Sequence, residues 1–382
     1  MRIALVIERM DTARGGRETS TAQIASGLAA RGHDVTVLCE RGRLDHPSVK
    51  VRELGADGIT RAARLRSLMA RVAACAPEYD IVHATMPVPG ANVYQPRGGT
   101  VPAQQAASVR RRRGPAGKAL AAIGGRLHLR RRSAARAERQ VMADQHVMCL
   151  AVSEMVRREF ETCYGRRHNV RTIFNAVQTP PPDTPQRQDW RQRVRYDCGM
   201  SQSDRAFLCV ATNFELKGVS ELIYAFSRWI HSGNAGGNDR LIIVGREEPA
   251  GYVRQAQMRD VGDRVVFVGP TSEVFRYYAA ADVLVLLSWY DPCSRAVLEA
   301  ACWGIPSITT AYNGAAEAIG GAGIVAPSPR HTREIVSAMT QLADPSRRRQ
   351  AADACLALAP RFSMERHVAD LEEAYADAIA SR

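Results

Sequence analysis

Residues 283–310 read VLVLLSWYDPCSRAVLEAACWGIPSITT, and the pattern changes period twice. Val283–Leu287 is an unbroken apolar run of strand length. Arg295–Cys302 spaces its apolar residues as a helix does, and Gly304 stops it. Ser307–Thr310 is β-branched and strand-like again. A buried strand, a crossover helix and a second buried strand form a βαβ unit, which needs a parallel sheet covered by helices.

The same alternation extends outward. Arg205–Ala211, Arg240–Val244, Arg264–Phe267 and Gly323–Val325 read as strands. Val219–Ile230, Thr332–Ala343 and Ser346–Leu356 read as helices, and Ser363 is placed to cap a terminal helix ending near Ala380. Upstream, Arg2–Glu8 is a strand, Arg14–Arg17 a Gly-containing turn and Thr19–Arg31 a helix. Asp34–Cys39 is the next strand. Ala62–Cys75, Asp80–Ala84, Ser133–Met148 and Leu150–Val152 continue the series. Ser153 caps a further helix, and Val170–Phe174 closes this half. Between the halves, Gln178–Asp189 contains Thr-Pro-Pro-Pro-Asp-Thr-Pro, a proline density that reads as a linker. The fold class is α/β: two Rossmann-like, doubly wound domains facing across a cleft. The expected boundaries are 1–177 and 178–362, with 363–382 packing back on the first domain.

Composition narrows the function classes. The chain has 382 residues, 46% hydrophobic, enough for two packed cores. Its nine cysteines show no CxxC pair and no zinc spacing, so they read as reduced thiols of a cytoplasmic protein. No apolar run reaches membrane-spanning length, and the start MRIALVIER does not read as a signal peptide. Net charge is +13, and the eleven Lys/Arg against one acid, Glu138, between Arg110 and Arg139 supply +10 of it.

Several residues can carry chemistry. Gly15-Gly16 follows the first strand, where backbone N–H groups can approach an anion; a turn that merely needs glycine is the other reading. It is not GxGxxG, which disfavours a nicotinamide cofactor. Lys217-Gly218 lies between a strand and a helix, where a lysine reaches phosphate or is simply solvated. Asp291 and Glu299, eight positions apart, flank a helix start. Their carboxylates can accept bonds from hydroxyls, and the N–H groups around Arg295–Val297 can meet phosphate. An exposed Arg295/Glu299 ion pair is the alternative. His83, ending its strand, is an acceptor-side candidate or a backbone-bonded structural histidine.

Taken together, these stretches resemble the GT-B glycosyltransferases of carbohydrate-active family 4. Asp291-x7-Glu299 resembles the E-x7-E signature, with Asp for the first Glu. Leu298–Thr310 resembles its LEAMA-x-G-x-P-V stretch, and Asn313–Glu317 its GG-x-x-E loop. Ala279–Val283 resembles A-x-A-D-V. Asn213–Gly218, Ile242–Gly245 and Val265–Gly269 sit where the family has K-G, V-G-x-G-like and V-x-F-x-G stretches. Gly15-Gly16 and Gly32–Val35 resemble its N-terminal motifs. The likeness spans nearly the whole chain; the branch it is most similar to is the lipopolysaccharide core glucosyltransferases.

The resemblance implies a retaining, metal-independent hexosyltransferase using a nucleotide sugar, UDP-glucose by family precedent, with no metal or other cofactor. It implies Glu299 on the ribose hydroxyls and Asp291 on the donor sugar. It puts Lys217 on the diphosphate, with the N–H groups of Ala296 and Val297 facing the phosphates. Gly15 and Gly16 would lie along donor and acceptor. Retention implies front-face attack, with the leaving phosphate oxygen helping to take the acceptor's proton. The sequence departs from the family twice. Asp291 is one methylene short, and no basic residue precedes Lys217 at Thr212–Leu216, so Arg246 or Arg295 is the substitute cation.

The basic segment Arg110–Arg139 reads as an attachment to anionic lipid headgroups, which would place the enzyme peripherally on the inner face of the cytoplasmic membrane beside a lipid-linked acceptor. A solvated loop is the alternative. Nucleic acid is disfavoured because no aromatic residue interleaves the arginines. An inactive nucleotide-sugar binder, a polyanion binder and a nucleotide-sugar epimerase are the competing functions.

Overall fold

A computed structural model describes residues 1–12, 15–178, 180, 184–233 and 235–381, with the side chains of Arg126 and Leu127 left aside. Contacts divide the chain into two units, Met1–Ala176 with Ser363–Arg382, and Val177–Phe362.

The first unit is a seven-stranded parallel sheet. Its spatial order is Val49–Glu53, Asp34–Cys39, Arg2–Val6, Ile81–Ala84, Val93–Tyr94, Met148–Ala151 and Val170–Thr172. Strand order reverses between Arg2–Val6 and Ile81–Ala84, where Leu5 lies between Val37 and His83. Alternate residues of the first strand serve opposite faces. Ile3 and Leu5 meet Ile24 and Leu28 of the helix Gly16–Ala30, while Ala4 and Val6 meet Leu65, Leu68 and Val72 of the helix Arg61–Cys75.

The terminal helix Met364–Ala380 completes this unit, its Val368, Leu371 and Tyr375 joining the Ile3–Leu5 core. Ser363 caps it through the Arg366 N–H at 3.2 Å. Gly27 makes room for the packing: a Cβ there would lie 2.7 Å from Val368 Cγ2. The same helix buries polar groups. His367 Nδ1 donates to the Phe174 carbonyl at 2.9 Å, and Tyr375 Oη lies 2.7 Å from His83 Nδ1.

The second unit is a six-stranded parallel sheet ordered Val265–Gly269, Arg240–Val244, Ala206–Val210, Val283–Leu286, Ser307–Thr310 and Ile324–Ala326. Numbered within the unit this is 3-2-1-4-5-6, the dinucleotide-fold order, with its reversal between the first and fourth strands. Asp282 pins that reversal. Its carboxylate accepts from the Ala206 N–H at 2.8 Å, from Arg191 at 2.9 Å and from the fully buried Arg195 at 2.5 Å.

Four expectations change. The proline-rich stretch is not irregular throughout: Pro185 opens a helix to Asp197, because proline suits the first helical turn. Thr179, Pro181, Pro182 and Asp183 of that stretch, and Arg14 of the first turn, lie outside the described residues. The loop alternative for the basic segment does not hold: Val101–Arg110 leads into it, and it forms the helices Gly114–Leu127 and Leu129–Ala143. The last of these stops at Ala143 rather than Met148, which instead starts the next strand. Strands Val49–Glu53 and Val93–Tyr94 escaped the reading, the first being a half-solvated edge and the second two residues long.

Burial makes His83 and His367 poor proton acceptors. Desolvation, with the Arg97 guanidinium nearby, pushes His83 down to about 3 from 6.5, and His367 falls well below its ordinary value for the same reasons. The fold therefore favours their neutral forms. Their contribution to stability is full above pH 6.5 and is lost progressively as pH falls below it, for His83 toward about 3. Each histidine costs about 1.4 kcal/mol per pH unit in that window. Thermal melts from pH 7.5 to 5 should show this decline, and a His83→Gln/His367→Gln variant should flatten it. An unchanged slope in the variant would assign the acid sensitivity elsewhere.

Candidate functional site

The loop after Ala206–Val210 turns back through Asn213, whose side chain accepts the Leu216 N–H at 2.8 Å and whose carbonyl accepts the Lys217 N–H at 3.0 Å. Gly218 then takes φ +67° and caps the helix Val219–Ile230. A Cβ on Gly218 would lie 2.1 Å from the Leu287 carbonyl oxygen, so only glycine fits. The Trp289 N–H donates to the Leu216 carbonyl at 2.9 Å, tying this loop to the one after Val283–Leu286. These two loops leave the strands on either side of the reversal. Sheets of this type bind ligands at that point.

The tie brings Lys217 against Asp291. The Lys217 ammonium and the Asp291 carboxylate form an ion pair, with side chains 17% and 10% exposed. Asp291 is fixed by its backbone as well, donating to the Tyr312 carbonyl and accepting the Gly314 N–H, both at 2.8 Å.

The helix Arg295–Cys302 begins here with Ser294 as N-cap, whose hydroxyl does not cap it. The first-turn N–H groups of Ala296 and Val297 have no acceptor within the helix. One turn in, the Glu299 carboxylate accepts the Tyr278 hydroxyl at 2.8 Å and lies 3.5 Å from Arg295 Nε. Burial and the Glu299 charge hold the Tyr278 phenol well above its usual range, so it remains a donor. Arg246 is exposed, directly after Arg240–Val244, at the same edge of the sheet.

Three side chains here were missed by sequence reasoning. Tyr278 orients Glu299 from another helix; its signal was only the family stretch that follows it. Asn313, 1% exposed, accepts the N–H groups of Ser294 at 3.3 Å and Ala315 at 3.1 Å, and donates to Thr309 at 2.9 Å. It aligns two helix starts. Arg330 stacks over the ring of Trp289, the residue whose N–H ties the two loops, at 4.9 Å.

In the first unit, Gly15 is the N-cap of Gly16–Ala30 with extended backbone, φ 161°. Among the described residues, a Cβ there would meet Glu18 Oε2 at 3.9 Å, an ordinary contact. Arg97, nearly buried, donates to Ser20 at 3.0 Å and to Gln95 at 3.1 Å. His83 is 1% exposed. It contacts Tyr375 of the terminal helix, which covers the strand end. Among the described residues no group of three or more His, Cys, Asp or Glu side chains is placed to hold a metal. No helix among them is long and apolar enough to cross a membrane.

Residues 204–345 match the family described as "Glycosyl transferases group 1", and residues 14–179 match "Glycosyltransferase Family 4". Among characterised proteins, the chain is 30% identical over 129 residues to the lipopolysaccharide glucosyltransferase WaaG of Escherichia coli K12, 34% of either chain. It is 24% identical over 177 residues to the N-acetyl-alpha-D-glucosaminyl L-malate synthase of Bacillus anthracis, covering 46% of this chain and 44% of that one. The chain thus aligns with less than half the length of these relatives. Crystal structures agree over the whole fold. WaaG superposes with a TM-score of 0.76 at 23% identity, covering 97% of this chain and 99% of WaaG. Anabaena HepE in complex with UDP and glucose gives 0.71 at 18% identity, covering 99% and 100%. The fold is GT-B.

Gly218→Ala should cost about 2–5 kcal/mol, from left-handed backbone plus overpacking against Leu287. The denaturation midpoint of the purified variant reports it, and an unshifted midpoint would mean the two loops are not held by this contact.

Proposed function

We propose that this chain, which belongs to the group 1 and family 4 glycosyltransferases, moves a hexose from a nucleotide sugar to a glycan or lipid-linked acceptor. The donor we assign is UDP-linked, with UDP-glucose first among sugars. Transfer is retaining and needs no divalent metal. The observation carrying this reading is the placement of Lys217, Asp291 and the Arg295–Cys302 helix start around the strand reversal of the second unit.

The chemistry follows from charge. Breaking the bond between sugar and nucleotide leaves negative charge on the diphosphate, and positive groups already in place lower that barrier. Lys217 supplies a full charge, and the N–H groups of Ala296 and Val297 supply the positive end of a helix. Glu299, oriented by Tyr278, accepts the ribose hydroxyls. Asp291 holds Lys217 through one oxygen, which leaves the other to accept a sugar hydroxyl. The shorter side chain therefore serves two partners. Arg246, Arg295 and Arg330 are the cations available to replace the family arginine. With no protein base nominated, the leaving phosphate oxygen takes the acceptor proton.

The relatives' names support the substrate class: WaaG is a lipopolysaccharide glucosyltransferase, and HepE was crystallised with UDP and glucose. A lipopolysaccharide core is the acceptor we favour. The basic helices between Arg110 and Arg139 fit attachment to an anionic membrane on the cytoplasmic side.

Free UDP at 100-fold over its Kd should stabilise the chain by about 2.7 kcal/mol, and Glu299→Ala should remove the shift. A shift retained in that variant would take Glu299 off the ribose. Lys217→Ala should cut turnover by more than about ten-fold, measured as UDP release with acceptor present. Unreduced turnover would remove Lys217 from charge stabilisation.

A further inference from the structure

We propose that the first unit carries a second ligand site, a phosphate-binding cavity between the helices Arg61–Cys75 and Leu129–Ala143. The cavity measures about 1240 Å³. Five arginines line it: Arg66, Arg131, Arg132, Arg136 and Arg139. Among the described residues no carboxylate lines it, and none of the five forms an ion pair. Arg66 donates to Ser133 Oγ at 3.1 Å, joining the two helices at the cavity.

Arg132, Arg136 and Arg139 repeat at i, i+4 and i+7 and so share one helix face. Like charges at that spacing work against the helix. No acid on the neighbouring helix offsets them; that helix presents Ala62, Ala70 and Ala73, which leave the space unfilled. The helix that carries the arginines is held in place from behind. Glu138, fully buried, accepts the Tyr94 hydroxyl at 2.7 Å, the Val101 N–H at 2.8 Å and the Tyr164 hydroxyl. A groove lined by five arginines, four of them exposed, with no carboxylate among its described lining residues suits an anion with several oxygens. Guanidinium forks match phosphate in paired hydrogen bonds. The volume exceeds one phosphate, so the ligand is a phosphate ester with its carrier. Leu129 lines the groove and is exposed, and Leu120 and Ile123 are exposed on the preceding helix Gly114–Leu127, apolar surface that a carrier can cover.

This site is independent of sugar transfer, and its test is binding. Two probes separate the sources: glycerol 3-phosphate in solution, and phosphatidylcholine vesicles carrying phosphatidic acid. Arg66→Gln/Arg136→Gln/Arg139→Gln should weaken binding of at least one probe by about ten-fold or more. Arg112→Gln/Arg113→Gln/Lys118→Gln removes the same charge outside the cavity and should cost less than about three-fold. Ala70→Trp, which fills the space and keeps the charge, should weaken binding as the cavity variant does. Binding of glycerol 3-phosphate means a soluble carrier, and binding of vesicles alone means a lipid one. Equal losses in the two charge variants, full binding in Ala70→Trp, or no binding of either probe by the unsubstituted chain would each overturn the site.

Discussion

The second unit turns on one close approach. Gly218 lies so near the Leu287 carbonyl that no side chain fits between them. That contact, with the bond from the Trp289 N–H to the Leu216 carbonyl, draws together loops that are some seventy residues apart in sequence. The ion pair between Lys217 and Asp291 is the result. A lysine with a four-carbon stem would otherwise sample many positions, and its charge would be spread over them. Held by Asp291 at low exposure, the charge has a defined place before any ligand arrives, which is what electrostatic preorganisation requires.

How much could be read in the sequence depended on whether the cause was local. The elements of the second unit were legible, because buried parallel strands are continuous apolar runs and their helices have a clear face. Val219–Ile230, Arg240–Val244 and Arg295–Cys302 stand at the positions their periodicity predicts. Lys217, Asp291 and Glu299 were legible as residue types beside helix starts. Their partners were not. Tyr278 precedes Glu299 by 21 residues, on a different helix, and nothing in spacing couples a phenol to that carboxylate. Asn313 looked like a variant loop residue, yet it bonds two helix starts. The burial of His83 was not legible because the element that covers it lies almost three hundred residues away. In and before the basic segment, Val101–Arg110 and Gly114–Leu127 were missed, while the helix read as Ser133–Met148 runs from Leu129 to Ala143.

Positive charge plays two distinct parts in the molecule. In the second unit the buried Arg195 is matched by Asp282, which also takes Arg191 and a backbone N–H, so the cations are spent on holding the strand reversal together. Breaking such a pair would strand a charge in the interior. In the first unit Arg132, Arg136 and Arg139 line an unfilled space instead, while Arg130 of the same helix pairs with Glu8. Counting charges along the chain does not separate these roles; pairing does.

The terminal helix has a consequence for biosynthesis. Val368, Leu371 and Tyr375 fill a core whose other walls are Ile3, Leu5 and Ile24. The ribosome delivers those walls early and the missing side chains only after the entire second unit has been made. The second unit has its strands in hand sooner, so it can settle while the first waits with an apolar face uncovered. The order of synthesis and the order of completion are thus reversed, and the interval between them is when the nascent chain is most open to chaperones and to misassembly.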